Sequence, residues 1–295
     1  MRSIPAVTKN LLIINVLMFI ATWVFQMRGI ELADYLGLHF FMASDFRVYQ
    51  FVTYMFMHGG FQHIFFNMFA LWMFGVVVEN TLGSRRFLFF YIACGIGAGL
   101  VQEMAQYSRF VIEGMAAYDS VNTGYGIMPM DQFLNMWNTV GASGAVYGIL
   151  LAFGMSFPNE RIFIFPLPVP IKAKWFVMIY VAIELFSALA TTGDGVAHFA
   201  HLGGMLVGWI IIKYWKSNDG GNGGGWRADN FFDKMRRGRH RQRKTPEDPN
   251  PDWDYNARKK ENDEETDRIL DKIKRSGYDS LTAEEKRQLF GNDDR

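Results

Sequence analysis

The sequence predicts an all-α fold: a polytopic membrane bundle of six transmembrane helices over residues 1–216, a flexible linker over 217–255, and a small soluble helical module over 256–295. Three observations predict it. Half of the 295 residues are apolar, yet the long apolar runs stop near Trp215 and a charged tail follows. The first part holds six runs of roughly 15 to 20 mostly apolar residues, the length that crosses a hydrocarbon core of about 30 Å once tilt is allowed for. Few charges interrupt these runs, and six of them in one chain argue against buried helices of a soluble protein.

The first run, Leu11 to Phe25, follows Arg2 and Lys9 and lacks a small-residue cleavage site, so it is expected to be an uncleaved anchor. The second, Phe61 to Val78, and the third, Phe87 to Val101, flank a short connection with Arg85 and Arg86. A long stretch from Glu103 to Val140 precedes the fourth run, Ala142 to Phe157, which stops at the break Pro158-Asn159-Glu160-Arg161. Lys172 and Lys174 precede the fifth run, Trp175 to Ala190, and the sixth runs from Val196 to Trp215. The basic residues of the short connections thus share one side with the basic tail, while Arg28, Arg47 and Arg109 are spread over two long loops on the other. Short basic loops stay inside, so both termini are expected in the cytoplasm.

Cys94, the single cysteine, lies in the third run. That excludes an intrachain disulfide, a CxxC pair or a cysteine-based metal site, and leaves a small apolar filler.

The tail opens with the glycine-rich NDGGNGGGW, a flexible composition. The basic cluster Arg236 to Lys244 reads as a solvated charge run or as a contact for anionic lipid head groups. Without interleaved aromatics it gives nucleic-acid binding little support. Farther on, Ile269, Leu270 and Ile273 form an apolar patch on a short helix closed by Gly277. Thr282 and Glu285 form a capping box that opens a second helix with Leu289 and Phe290.

Polar side chains inside membrane helices are costly and therefore candidates for function. Here they are His63 and Asn67 in the second run, Ser143 at the head of the fourth, Glu184 in the fifth, and His198 and His201 at the head of the sixth. His63 and Asn67 are four apart and share a helical face, as do Ser143 and Tyr147. His201, Gly204 and Gly208 form one stripe, and Gly144 and Gly148 another, so the fourth and sixth helices can pack backbone against backbone. A short serine side chain needs that closeness to reach a histidine on another helix.

A serine hydroxyl becomes a nucleophile when a base takes its proton, and neutral imidazole suits the task. His201 supplies the base. The Ser143 N–H at a helix start, the Asn67 amide and the His63 ring can hold the oxyanion of acyl transfer. No carboxylate is placed by spacing to orient the base, so a Ser143–His201 dyad is expected, with the Tyr147 ring steadying the imidazole. Ser143 to Phe157 spans roughly 22 Å of helix, short of the ~30 Å core, which sets the serine below the outer surface in a wet pocket.

These residues sit in motifs that resemble the rhomboid family of intramembrane serine proteases: HGGFQHIFFNM, ENTLGSRRF, GASGAVYG and AHFAHLGGMLVG, in that order over Leu11 to about Trp215. The resemblance implies a six-helix bacterial core in the cytoplasmic membrane. It implies Ser143 as nucleophile, His201 as base, Asn67 and His63 as oxyanion donors and Tyr147 as the ring against the base, with Gly141, Gly144, Gly204 and Gly208 in support. Its substrates would be transmembrane proteins cut at a site opening to the outer side, without metal or cofactor. The chain departs from the family pattern at Tyr49, where many members carry tryptophan.

Two other classes remain open. A transporter would line a path with charged pairs, and only Glu184 fits. A non-catalytic binder of client transmembrane helices would have lost the serine or the histidine, and both are present. His198 and His201 also raise zinc, but the sequence shows no further Cys, Asp or Glu beside them. The role of Glu184 stays open between a proton relay and a structural carboxyl hydrogen-bonded inside the bundle.

Overall fold

The computed structural model describes residues 4–124, 126–163, 170–190, 197–219, 268–275, 277, 280–282 and 284–285. The chain divides into two compact units, Met1–Met235 and Arg236–Arg295.

Pro5 precedes the first helix, α1 (Ala6–Gln26), where its fixed φ suits the helix entry. The free N–H groups of the first turn are satisfied from another span. Glu79 Oε1 accepts from the Val7 N–H at 3.0 Å, and Oε2 accepts from the Thr8 N–H and the Thr8 hydroxyl, each at 2.7 Å. The Ser84 hydroxyl also donates to Glu79 at 2.7 Å. The polar residues of ENTLGSRRF therefore tie α1 to the turn between the second and third spans.

After α1 come α2 (Leu32–Leu36), the two-residue strand β1 (Leu38–His39), α3 (Gln50–Thr53) and a 3-10 turn, Tyr54–Phe56. The second span is α4 (Phe61–Ala70), a π-helical segment (Leu71–Gly75) and α5 (Val76–Leu82). Gly83, at φ 79°, permits the reversal into α6 (Ser84–Ile112).

The third span was expected to end at Val101, but α6 continues to Ile112. Gln102, Glu103, Met104, Ala105 and Gln106 are strong helix formers although most are polar or small, so the apolar run ends where the helix does not. The rest of the stretch to Val140 is built as well: a hairpin of β2 (Ser120–Asn122) and β3 (Ile127–Pro129), then α7 (Met130–Asn135) and β4 (Asn138–Thr139). β4 pairs antiparallel with β1, Leu38 opposite Thr139 and His39 opposite Asn138.

The remaining spans are α8 (Ser143–Ser156), α9 (Ala173–Ala190) and α10 (His198–Asp219), with the small antiparallel pair β5 (Arg161–Phe163) and β6 (Pro170–Lys172) between α8 and α9. All six expected spans are helical over their described residues except the end residues Ala142, Phe157 and Ala197; the sixth was expected from Val196, which lies outside the described residues. α10 packs against both α6 and α8, and these three enclose a core that includes Phe90, Tyr91, Ile149 and Ile212. α1, α4 and α9 turn large apolar side chains outward, among them Leu17, Phe61, Phe66, Phe186 and Leu189. Apolar faces on that scale belong against lipid, where only helices with satisfied backbones can stand. α1, the second span, α6 and α9 are long and apolar enough to cross a membrane.

The inner helices meet through glycine. A Cβ on Gly204 would lie 1.9 Å from the Gly144 carbonyl oxygen, and one on Gly148 would lie 2.6 Å from Cys94 Sγ and 3.1 Å from Gly204 O. On Gly208 it would come within 3.3 Å of Gly148 Cα. The two stripes face each other with no room for side chains between them.

In the tail unit, residues 268–275 form a helix with Ile269 buried, and Gly277, at φ 79°, follows it. The capping box is formed: Glu285 Oε2 accepts from the Thr282 N–H at 2.8 Å, and the Glu285 N–H donates to Thr282 Oγ1 at 3.3 Å. Lys272 donates to Glu285 at 2.8 Å and, with these bonds, holds its carboxyl down at about 2. Leu289, Phe290 and the basic cluster Arg236 to Lys244 lie outside the described residues.

Candidate active site

Ser143 is the first residue of α8, and its approach is fixed from two sides. β4 holds the strand just before it, and the Gly141 N–H donates to the Tyr54 carbonyl at 2.9 Å. Gly141 stands at φ 132°, a conformation that side chains rarely adopt. A Cβ there would also lie 2.8 Å from His63 Nε2 and 3.5 Å from Ser143 Oγ. Glycine is thus required twice over, and His63 and the serine hydroxyl flank the same small space.

Across the glycine contact, the Ser143 hydroxyl lies 2.8 Å from His201 Nε2. His201 is one turn into α10 and only 8% exposed. Its ring lies on that of Tyr147, with centroids 4.2 Å apart and planes within 7° of parallel.

His63 Nδ1 accepts a hydrogen bond from the Gly59 N–H at 3.3 Å. A neutral ring that accepts at Nδ1 carries its proton on Nε2, the nitrogen beside Gly141. Asn67, buried on the same face of α4, donates from Nδ2 to the His63 carbonyl at 2.9 Å, which leaves its second amide hydrogen for another acceptor. His58, not singled out from the sequence, packs its ring edge-on to His63 with centroids 5.1 Å apart.

Glu184 departs most from the expectation drawn from spacing. That expectation placed no carboxylate at the base, yet Glu184 Oε2 lies 2.9 Å from His201 Nδ1 and 2.6 Å from His198 Nδ1. The first approach is within ion-pair distance but off the line of a hydrogen bond; the second is a hydrogen bond. Tyr147 donates its hydroxyl to Glu184 Oε1. A signal existed in the fifth run and just before it: Ala173, Phe176, Val177, Tyr180 and Glu184 recur at helical spacing and form the inward face of α9, with Tyr180 packed on Tyr147. The apolar part of that stripe gives the phase of the acid, but it does not say which helix the stripe meets.

The zinc argument changes with it. His198, His201 and Glu184 each offer a ligand atom, and these atoms lie within 4.8 Å of one another, so folding supplies the third donor that the sequence does not show. The His198 hydrogen bond and the ion-pair approach of His201 already give this buried carboxylate the partners it needs.

Fold and site together define a polytopic helical membrane protein that holds a serine hydroxyl against an imidazole between two of its helices. Residues 45–217, more than half of the chain, match the Rhomboid domain, and residues 251–290 match a family of unknown function (DUF6576). The chain belongs to the rhomboid family.

Relatives come from several compartments. Rhomboid-like protein 11, chloroplastic, of Arabidopsis thaliana is 30% identical, with 69% of this chain and 65% of that protein covered. Rhomboid protein 1, mitochondrial, of Saccharomyces cerevisiae is 29% identical over 54% of this chain and 40% of its own length. Rhomboid protease AarA of Providencia stuartii is 28% identical over 53% and 52%. The chain spans about half the length of these curated relatives.

Proposed function

We propose that this rhomboid-family chain is an intramembrane serine endopeptidase that hydrolyses peptide bonds in or near the transmembrane segments of other membrane proteins. The observation that carries the reading is the 2.8 Å contact between Ser143 Oγ and His201 Nε2 across the α8–α10 interface. His201 Nε2 takes the hydroxyl proton as Oγ attacks the scissile carbonyl carbon. The oxyanion is held by the Ser143 N–H, the His63 Nε2–H and the free Asn67 amide hydrogen. His201 then returns the proton to the leaving amine, and water releases the acyl group by the same steps in reverse order.

The 14 residues of α8 make about 21 Å of helix, less than the ~30 Å core, which favours a site sunk below one surface and reached by water. The distribution of Arg and Lys supports cytoplasmic termini and a site opening to the outer side; residence in a bacterial cytoplasmic membrane rests on the family resemblance alone. Substrate helices must unwind to present a peptide bond, so Gly or Pro near the cleaved bond favours turnover. By composition, Arg236 to Lys244 fits a solvated charge run first and, as the alternative, a contact for anionic lipid head groups.

The decisive experiment compares the purified full chain with its Ser143→Ala form on a model transmembrane substrate in detergent, alongside a serine-directed fluorophosphonate probe. Cleavage and labelling by the wild type alone are expected. Equal cleavage by both forms would remove the protease reading. A chain that binds substrate helices yet neither cleaves nor labels would favour the non-catalytic binder.

A further inference from the structure

Glu184 is 4% exposed, on a helix long and apolar enough to cross a membrane, and such a carboxylate persists only where its charge is met by donors. It has three neighbours that can donate, and two belong to the groups around the proposed nucleophile: the Tyr147 hydroxyl at Oε1 and the His201 ring at Oε2, with His198 as the third. Tyr147 makes two contacts at once, its ring against the His201 ring and its hydroxyl to Glu184. The acid, the phenol and the imidazole therefore form a closed cycle whose free corner is His201 Nε2, facing Ser143.

The tautomer follows from the acceptor. An ionised carboxylate can only accept, so the ring nitrogen turned to Oε2 carries the hydrogen. With the proton on Nδ1, Nε2 has its lone pair free, and the serine hydroxyl is the donor in the 2.8 Å contact. The reverse tautomer would point N–H at the serine and leave no base.

We propose that Glu184 is the positioning residue that fixes His201 in its Nδ1–H form and orients Nε2 toward Ser143, giving this chain a Ser143–His201–Glu184 relay in place of a bare pair. When His201 takes the serine proton, the imidazolium forms with its Nδ1–H already 2.9 Å from a carboxylate oxygen. The off-line approach in the resting site tightens at that moment, as hydrogen bonds around a catalytic base commonly do on reaching the transition state. Glu184 does not need to take the proton; its charge and its demand for a donor are sufficient.

The kinetic part rests on the protease reading, and the spectroscopic part does not. The test uses the full chain in detergent micelles with 15N-labelled histidine, the His201 ring signals being assigned by their loss in His201→Ala. The wild type is expected to show one Nδ1–H tautomer. Glu184→Gln can donate to Nδ1 and is expected to bring in the Nε2–H form, with kcat lowered about 100-fold or more and KM changed less than about threefold. Tyr147→Phe keeps the ring contact but loses the bond to Oε1, and is expected to lower kcat about 5- to 20-fold.

An unchanged His201 tautomer in Glu184→Gln, or an unchanged kcat, would overturn the proposal. If Glu184→Gln does not fold, Tyr147→Phe decides: wild-type turnover together with a wild-type ring spectrum would overturn it. If the wild type cleaves nothing and takes no probe, the protease reading fails, and the ring spectra still decide whether Glu184 sets the His201 tautomer.

Discussion

His201 and Tyr147 lie face to face, their ring centroids 4.2 Å apart and their planes within 7° of parallel. The imidazole has the serine at one edge and the phenol ring across one face, so its rotation about χ2 is blocked on that side. Removing the ring frees that rotation. Tyr147→Ala is expected to lower kcat about 100-fold with little change in KM, because misplacing a base by about 1 Å costs that much while substrate binding is untouched. Single-turnover cleavage by matched amounts of both forms checks it, and wild-type rates would show that packing from α9 alone fixes the ring.

The serine and histidine reach each other only because Gly144 and Gly204 bring two backbones together. A methyl on Gly204 would lie 1.9 Å from the Gly144 carbonyl oxygen, which no side-chain adjustment relieves, whereas at Gly208 the nearest approach would be 3.2 Å, to Phe90. Gly204→Ala is expected to abolish cleavage and lower stability by about 1–3 kcal/mol or more; Gly208→Ala is expected to retain activity with a smaller loss. Thermal unfolding in detergent with parallel activity assays distinguishes them. Equal behaviour would mean that the helices separate freely.

On the opposite side of the serine, His63 presents Nε2 toward Gly141. With His63 as one of the proposed oxyanion donors, His63→Ala is expected to lower kcat by about 10- to 1000-fold while fluorophosphonate labelling of Ser143 persists at a reduced rate. Complete loss of labelling would assign His63 to the folding of the site instead.

Chelators and Cys94→Ala are expected to leave turnover unchanged, since neither metal nor thiol has a step in the proposed reaction. Cys94 is fully buried against Gly148, so its replacement affects stability, by about 1 kcal/mol, more than chemistry. The chelator test has content because His198, His201 and Glu184 form a three-donor group. Activity lost on chelation and restored by zinc would make that group a metal site.

Much of this was legible in the sequence because membrane spans announce themselves by composition. The six runs, the Gly144/Gly148 and Gly204/Gly208 stripes and the shared face of His63 and Asn67 all follow from helical spacing. Three features were hidden. α6 runs on to Ile112 because helix propensity, unlike hydropathy, does not fall at Gln102. Glu184 meets His201 through the rotation of α9 about its axis and its placement beside α8, and a tertiary contact between separate spans has no period in the sequence. The cap that Glu79 places on α1 was hidden for the same reason: its partners, Val7 and Thr8, lie on a different span, 72 and 71 residues away in the chain.

The two histidines of AHFAHLGG are three residues apart, so spacing alone allows either to face the serine. Depth and phase separate them. His201 is nearly one turn deeper, shares its stripe with Gly204 and Gly208, and lies 2.8 Å from Ser143 Oγ. His198 opens α10, and its Nδ1 donates to Glu184. Removing His198 takes one of three donors from the carboxylate and leaves the Tyr147 and His201 contacts standing. His201→Ala is therefore expected to reduce turnover to the level of Ser143→Ala, and His198→Ala to lower it by about tenfold or less, since a single hydrogen bond to a charged group contributes about 1.5–3 kcal/mol and only part of that reaches the base. Both variants are measured at matched expression and pH on the same transmembrane substrate. An inactive His198→Ala beside an active His201→Ala would mean that the base is His198 and that α10 is rotated from the phase described.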